Sequence, residues 1–236
     1  MSRALRLVLF ALIALPGLAL AQDRDNARFD PNRASPWTFE LGGATDNRSK
    51  GASKSSGDPY VFGEVQYNAA NGFYADAEFE TIDSAGSRVE TEVEAGWQGS
   101  GGGFDFDVSV SHKWRVNADP GQDDAAVELQ FDVMRDFGAV DTRLRVEHSP
   151  DGLGSTEAWT WVETRVRWPI VDRLQGAVMV GRREQDNGPD YTGWSAGVAY
   201  ALTEVTELEL AWHGTDIGDQ GEQYEDALVA AILVAF

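Results

Sequence analysis

The chain has 236 residues, of which 39 are acidic and 19 are basic, giving a formal net charge of -20 at pH 7. This acidic balance excludes nucleic acid as a partner, because binding to phosphate backbones requires a basic face. It also argues against docking onto anionic lipid head groups. The sequence holds no cysteine, so stability must come from packing and hydrogen bonding rather than from disulfides.

Residues 1–21 have the pattern of a secretory signal peptide. Arg3 and Arg6 precede an apolar run over Leu7–Leu15, and Ala19-Leu20-Ala21 forms a small-x-small cleavage site before Gln22. A membrane-spanning helix needs about 20 apolar residues, so the short run predicts a cleaved signal rather than an uncleaved anchor. No later segment is apolar enough to span a bilayer as a helix, which excludes a helical membrane protein.

Residues 22–35 are polar and without periodicity, which predicts a flexible periplasmic lead-in before one domain over residues 36–236. In that domain, segments of about ten residues alternate apolar with polar side chains, as in Phe104–Ser111 and Val140–Glu147. A period of two places the apolar side chains on one face and the charged ones on the other. Helical spacing would mix charge into the apolar stripe, so the segments are predicted to be β-strands.

Twelve strands are predicted, an even number that is typical of single-chain bacterial barrels and places both chain ends in the periplasm. Their predicted first residues are Trp37, Pro59, Phe73, Arg88, Phe104, Ala126, Val140, Glu157, Leu174, Tyr191, Thr206 and Glu225. Tight turns such as Phe137–Ala139 alternate with longer polar loops such as Asp46–Asp58, and only Asp83–Ser87 is a short exception. A soluble β-sandwich need not show this alternation. The predicted fold is therefore all-β, a transmembrane antiparallel up-and-down β-barrel.

Aromatic residues and the chain end indicate the outer membrane of a Gram-negative bacterium. Several aromatic residues lie near predicted strand ends, where a lipid-facing girdle is expected: Trp37, Phe73, Trp97, Trp114, Trp168, Tyr200 and Trp212. The last segment, Leu228–Phe236, ends on an aromatic residue, which resembles the signal read by the bacterial barrel-assembly machinery. We predict that this machinery and outer-membrane lipid are partners, and that the barrel is a monomer.

If the apolar side chains face lipid, the alternating polar side chains face the lumen. The residues predicted to line it are Glu40, Glu64, Asp76, Glu78, Glu80, Glu90, Glu92, Glu94, Asp105, Asp107, Lys113, Glu128, Asp132, Arg143, Arg145, Arg165, Arg167, Glu207 and Glu209. Acids dominate the third to fifth strands, and arginines the seventh and eighth. Charged linings select permeants by sign, so the acid excess predicts a preference for cations. A twelve-stranded lumen is only modestly wider than side chains can fill, so pairing across it is the alternative.

No motif supports catalysis, a metal site or a cofactor. The three histidines, His112, His148 and His213, lack the clustered spacing of metal ligands. No G-x-S-x-G elbow occurs, and Asp216–Asp226 lacks the Glu-terminated calcium-loop pattern. A Ser-His-acid set assembled in space stays open from sequence. We predict that the protein is not an enzyme, with no catalytic, metal-binding or cofactor-binding residues.

Three segments carry a family resemblance. Thr45–Ser53 resembles a T-S-x-Y-x-[FW]-R-G-x-S motif, Asp58-Pro59 with Asn71–Asp76 resembles its P…G-F-Y continuation, and Asp190–Tyr200 resembles a D-Y-x-x-W-x-x-G-x-x-Y strand. With the terminal Phe236, they make the chain similar to the TorF family of porin-like proteins of Proteobacteria. That resemblance implies an outer-membrane barrel with a pore function, no known substrate and no catalytic residues.

The leading functional prediction is an outer-membrane porin-like channel for passive diffusion of small solutes, with a bias toward cations. The alternative is a plugged structural or surface-binding barrel without transport. Two further classes are weaker: an outer-membrane enzyme lacks a supporting motif, and a soluble periplasmic β-sandwich does not account for the alternating connection lengths.

Overall fold

Twelve strands form one closed antiparallel barrel in the computed structural model, which describes residues 35–236. The predicted signal peptide and all but the last residue of the predicted lead-in lie outside the described residues. Each barrel strand pairs with the preceding and following barrel strands, and the first closes the barrel by pairing with the last, from Glu40 opposite Ala235 to Ala44 opposite Ala231.

The barrel strands are β1 (Trp37–Ala44), β4 (Tyr60–Asn68), β5 (Phe73–Ser84), β6 (Ser87–Gly101), β7 (Phe104–Arg115), β8 (Ala125–Phe137), β9 (Val140–Gly152), β10 (Glu157–Val171), β11 (Leu174–Gln185), β12 (Tyr191–Ala201), β13 (Thr206–Thr215) and β14 (Ala227–Ala235). A separate short hairpin consists of β2 (Arg48–Ser49) and β3 (Ala52–Ser53). The prediction of a twelve-stranded antiparallel barrel is confirmed, and each predicted first residue lies within two residues of the observed one. The side of the membrane on which the termini lie stays a prediction.

Helical structure is minor in the described range. Two short 3-10 turns, Gly218–Gln220 and Glu222–Tyr224, lie in the connection between β13 and β14. Within residues 35–236, no helix has the length and hydropathy needed to cross a bilayer.

Side chains along each strand alternate between a buried face and an exposed one. On β8, Glu128 and Asp132 are buried, whereas Leu129 and Phe131 are 50% and 45% exposed. The exposed face is rich in valine, leucine and phenylalanine, and the buried face carries most of the charged side chains of the strands. A soluble protein has the reverse arrangement. An apolar outer band around a polar interior is the distribution that membrane barrels present to lipid.

The two ends of the barrel differ in their connections. Tight turns join the strands at one end, called here the turn end, and Gly138 supplies the positive φ of 70° that one of them requires. The other end, called here the loop end, carries the longer connections. Phe236 lies at the turn end, where its backbone N–H donates to the Phe39 carbonyl at 3.0 Å and its ring stacks on that of Phe39. The last residue therefore helps to close the seam between β1 and β14.

Exposed aromatic rings gather at the turn end. Trp37, Phe73, Phe137 and Tyr200 are between 42% and 59% exposed, and each lies at or beside the end of its strand. This placement is the one expected of a girdle at a membrane interface. Trp161 differs, because its side chain is fully buried and its indole N–H donates to Glu163 on the inner face at 2.7 Å.

Candidate functional site

The connection between β1 and β4 folds into the barrel. The loop predicted over Asp46–Asp58 was expected to be extracellular, and the structure corrects that expectation: Asp46, Asn47 and Arg48 are 3–5% exposed. We call residues 46–55 the inner hairpin. It lies across the lumen near the loop end, so it determines how much of the barrel interior stays open.

Glycines on both sides let the tip of the inner hairpin approach the barrel wall. Lys50 and Gly51 form the tip with φ values of 56° and 85°. A Cβ added at Gly193 of β12 would lie 2.2 Å from the Lys50 carbonyl oxygen. A Cβ at Gly51 would lie 2.7 Å from the carbonyl oxygen of Gly214 on β13. Only glycine allows a backbone oxygen to come this close, so the tip of the inner hairpin packs directly against the backbones of β12 and β13.

Two lysines attach the inner hairpin to two separate parts of the wall. The Lys50 Nζ atom lies 2.7 Å from Glu147 Oε1 on β9. Lys54 forms ion pairs with Glu80 on β5 and with Glu90 on β6, the latter at 2.7 Å. Burial lowers the pKa of Lys54, but the two carboxylates raise it by more, so its pKa lies above 10.5 and the side chain is charged at neutral pH.

Hydrogen bonds complete the attachment of the inner hairpin. The Arg48 guanidinium donates to the carbonyl oxygens of Gly51 and Glu225, at 3.1 and 2.6 Å, and also pairs with Asp46. The Asn47 amide donates to Glu80 at 3.0 Å. These charge-assisted bonds are buried, which makes them stronger than equivalent bonds at a solvated surface.

One wall of the lumen is acidic. Glu40, Glu64, Glu78 and Glu92 stand directly opposite one another in register across β1, β4, β5 and β6, and we call them the acid row. The row ends at Lys113 of β7, whose Nζ atom lies 3.3 Å from Glu92. The acid row therefore places four carboxylates side by side in register on one wall of the barrel.

The opposite wall is rich in arginine, and two of its arginines form close ion pairs with buried carboxylates. Arg145 of β9 forms a two-point ion pair with Asp132 of β8, at 2.9 and 2.6 Å. Arg143 pairs with Glu163 of β10. Arg143 also stands in register with Arg165, so two like charges are neighbours on this wall as well. Asp132 is fully buried, and its two-point ion pair with Arg145 offsets the cost of removing its charge from water.

The inner hairpin divides the interior into two small cavities. A cavity of about 140 Å³ lies against the acid side and includes Glu78, Glu92 and Lys113 in its lining. A second cavity, of about 90 Å³, lies against the arginine side and includes Arg143 and Arg165. Residues Arg48, Ser49 and Lys50 of the hairpin line both. A third and larger cavity, of about 490 Å³, opens at the loop end.

The residues predicted to line the lumen all fall on the inward register of their strands. Eleven are buried: Glu80, Glu90, Asp107, Glu128, Asp132, Arg143, Arg145, Arg165, Arg167, Glu207 and Glu209. Eight are half-buried: Glu40, Glu64, Asp76, Glu78, Glu92, Glu94, Asp105 and Lys113. Their side chains therefore point toward the barrel interior. Whether they line an open path stays a prediction.

Arg48, Lys50 and Lys54 were not predicted to be interior residues. The available signal was a cluster of three basic residues within one loop of an otherwise acidic chain. Trp159 and Trp161 also lie on the inner face, and no prediction of their positions was made from the sequence. Among residues 35–236, no group of three or more histidine, cysteine, aspartate or glutamate side chains is arranged to hold a metal ion.

The barrel has the fold of outer-membrane porins and channels. The KdgM porin superposes with a TM-score of 0.59 at 7% identity, over 84% of this chain and 99% of that one. The NanC porin gives 0.60 at 12% identity, over 84% and 98%. The COG4313 outer membrane channel from Pseudomonas putida F1 gives 0.54 at 10% identity, over 89% and 100%. At these identities the likeness concerns the fold alone.

The chain belongs to the family described as "Bacterial protein of unknown function (Gcw_chp)", whose model matches residues 30–234. The name TorF does not occur in that description, so the relation to TorF rests on the motifs described above. No curated protein matches the chain significantly.

Proposed function

We propose that the protein is an outer-membrane channel through which small solutes diffuse passively, narrowed by the inner hairpin and selective for cations. The observation that carries the proposal is the acid row, which lines one side of the lumen in continuous register. Porins and channels share its fold, which supports a transport role over a catalytic one. The apolar outer face supports a position in the membrane.

Export and assembly complete the proposal. The signal peptide over residues 1–21 would direct the chain to the periplasm, and Phe236 would present the last strand to the barrel-assembly machinery. With twelve strands, both termini lie on the periplasmic side, and the loop end faces the exterior. A monomer suffices, because the barrel is closed without a partner chain.

The charge count of the predicted lumen residues supports the choice of cations. Fourteen of the nineteen are carboxylates and five are cationic. On the arginine side, Arg143 and Arg145 are held by Glu163 and Asp132, which reduces the field that they project into the lumen. A net acidic lining raises the local concentration of cations and excludes anions.

Replacing two members of the acid row tests this selectivity. In planar bilayers under a KCl gradient, we expect the E78Q/E92Q double variant to shift the reversal potential toward zero, because it removes two lumen charges. The matched control is E184Q/E204Q, which removes two carboxylates from exposed positions. An equal shift in both variants, or none in E78Q/E92Q, would contradict the proposed role of the acid row.

A second candidate is a plugged barrel with a structural or surface-binding role. The seated and ion-paired inner hairpin favours it, and so do the small volumes of the two cavities beside the hairpin. Liposome swelling distinguishes the two. Swelling in small sugars by the wild-type protein supports a channel. A correctly folded wild-type barrel that admits none, together with uptake after deletion of residues 47–54, supports the plug.

A further inference from the structure

The cavity at the loop end has the size of a small-molecule site. Its volume of about 490 Å³ falls in the range of ligand pockets. We call it the mouth cavity. Its lining combines cations, amides, hydroxyls, the aromatic residues Trp159, Tyr191 and Tyr224, and the ion-paired carboxylates of Glu90 and Glu128. A solute that enters the barrel from the loop end meets this cavity before the inner hairpin.

Five cationic side chains line the mouth cavity: Lys50, Lys54, Lys113, Arg115 and Arg183. Four of them pair with carboxylates: Lys50 with Glu147, Lys54 with Glu80 and Glu90, Lys113 with Glu92 and Glu128, and Arg115 with Glu90. Within residues 35–236, Arg183 has no carboxylate oxygen within 4.0 Å and is the exception among the five. An unneutralised guanidinium in a recessed site attracts an anion.

Neutral neighbours hold Arg183 in a fixed orientation. Its Nε atom donates to Gln185 Oε1 at 2.9 Å, and its guanidinium lies 4.4 Å from the centroid of the Trp159 ring. Lys50 lies over the same Trp159 ring, at 4.7 Å, so two cations converge there. A guanidinium held in this way is preorganised for two-point binding of a carboxylate.

The rest of the lining suits hydroxyl groups. Asn187, Gln220 and Gln223 contribute amides, and Ser155 and Thr156 contribute hydroxyls. Amides and hydroxyls can donate and accept, which is what a polyhydroxyl ligand needs. We propose that the mouth cavity binds a small carboxylated, hydroxyl-rich solute of the sugar-acid class, with its carboxylate on Arg183. This inference goes beyond the channel, because such a site functions whether the lumen below is open or plugged.

Calorimetric titration of the folded protein in detergent tests the site, with glucuronate as the probe and glucose as its uncharged counterpart. We expect glucuronate to bind at least about 10-fold more tightly than glucose, since it adds a charge-assisted, two-point contact. The R183Q variant should lose at least about 10-fold in glucuronate affinity. The matched control is R182Q, because Arg182 is adjacent and is on the exposed face.

Equal affinity for the two sugars, no binding of either, or unchanged affinity in R183Q would overturn the proposal. So would an equal loss in R182Q and R183Q, since that would indicate general electrostatics. Heat-modifiable migration on a gel confirms that each variant is folded. Because the readout is binding and not conductance, a failed channel with intact glucuronate binding would reject the proposed function and leave this site standing.

Discussion

At the scale of single residues, the position of the inner hairpin depends on the missing side chain at Gly193 and on the ion pairs of Lys54. Gly193 has no Cβ, and this lets the Lys50 carbonyl oxygen approach the backbone of β12. Lys54, whose side chain is 22% exposed, pairs its charge with two carboxylates, Glu80 and Glu90, on neighbouring strands. Each contact is specific enough to be changed by one substitution.

We expect G193A to displace the tip of the inner hairpin, because its Cβ would lie 2.2 Å from a backbone oxygen that has no flexible side chain to yield. The cost should be about 1–3 kcal/mol in the free energy of unfolding, as is usual for overpacking, and single-channel conductance should rise. G101A is the control, since a Cβ at Gly101 meets nothing within 4 Å. Unchanged stability and conductance in G193A would contradict the role of the contact between Lys50 and Gly193.

Lys54 predicts a pH dependence of stability. Its pKa in the fold lies above the ordinary value of 10.5 because Glu80 and Glu90 outweigh the effect of burial. A raised pKa stabilises the fold fully below 10.5, and this contribution is lost as the pH rises through the folded-state value. K54M should therefore be destabilised by about 1–3 kcal/mol at pH 8, since Glu80 keeps Asn47 and Glu90 keeps Arg115 as partners. The difference in unfolding free energy from wild type should shrink as the pH rises above 10.5, and a constant difference would refute this account.

At the scale of elements, the strands were predictable and the inner hairpin was not. Strand positions follow from a local period of two, and Phe104–Ser111 shows it without any knowledge of the partner strands. The hairpin depends on Gly193 and Gly214, which are more than 140 residues from Lys50 in the chain. No local pattern encodes such an approach. For the same reason the acid row was predicted as a set of inward residues, whereas its exact register came from strand pairing.

Deleting the inner hairpin tests its role as the constriction. Replacing residues 47–54 with a short glycine-serine link should leave the barrel intact, because β2 and β3 pair only with each other. We expect a several-fold larger single-channel conductance, since the hairpin lines both inner cavities. A matched shortening of the connection at residues 117–124, most of which are exposed, is the control, because these residues line none of the three cavities. Unchanged conductance after the hairpin deletion would show that the narrowest point lies elsewhere.

At the scale of the whole molecule, the charge distribution follows the architecture. The outer face is apolar, one inner wall is acidic, and Arg143 and Arg145 on the other wall are paired with the buried carboxylates of Glu163 and Asp132. The overall charge of -20 is therefore not spread evenly over the surface. An apolar outer face is suited to lipid, and a charged inner face is suited to the ion transport that we propose.

The central claim is that the acid row makes the channel cation-selective. The reversal potential of the wild-type protein in a planar bilayer, under a tenfold KCl gradient, tests it most directly. We expect discrete conductance steps and a reversal potential whose sign shows potassium to be more permeant than chloride. A potential of the opposite sign, or the absence of conductance from a folded and inserted barrel, would contradict the claim.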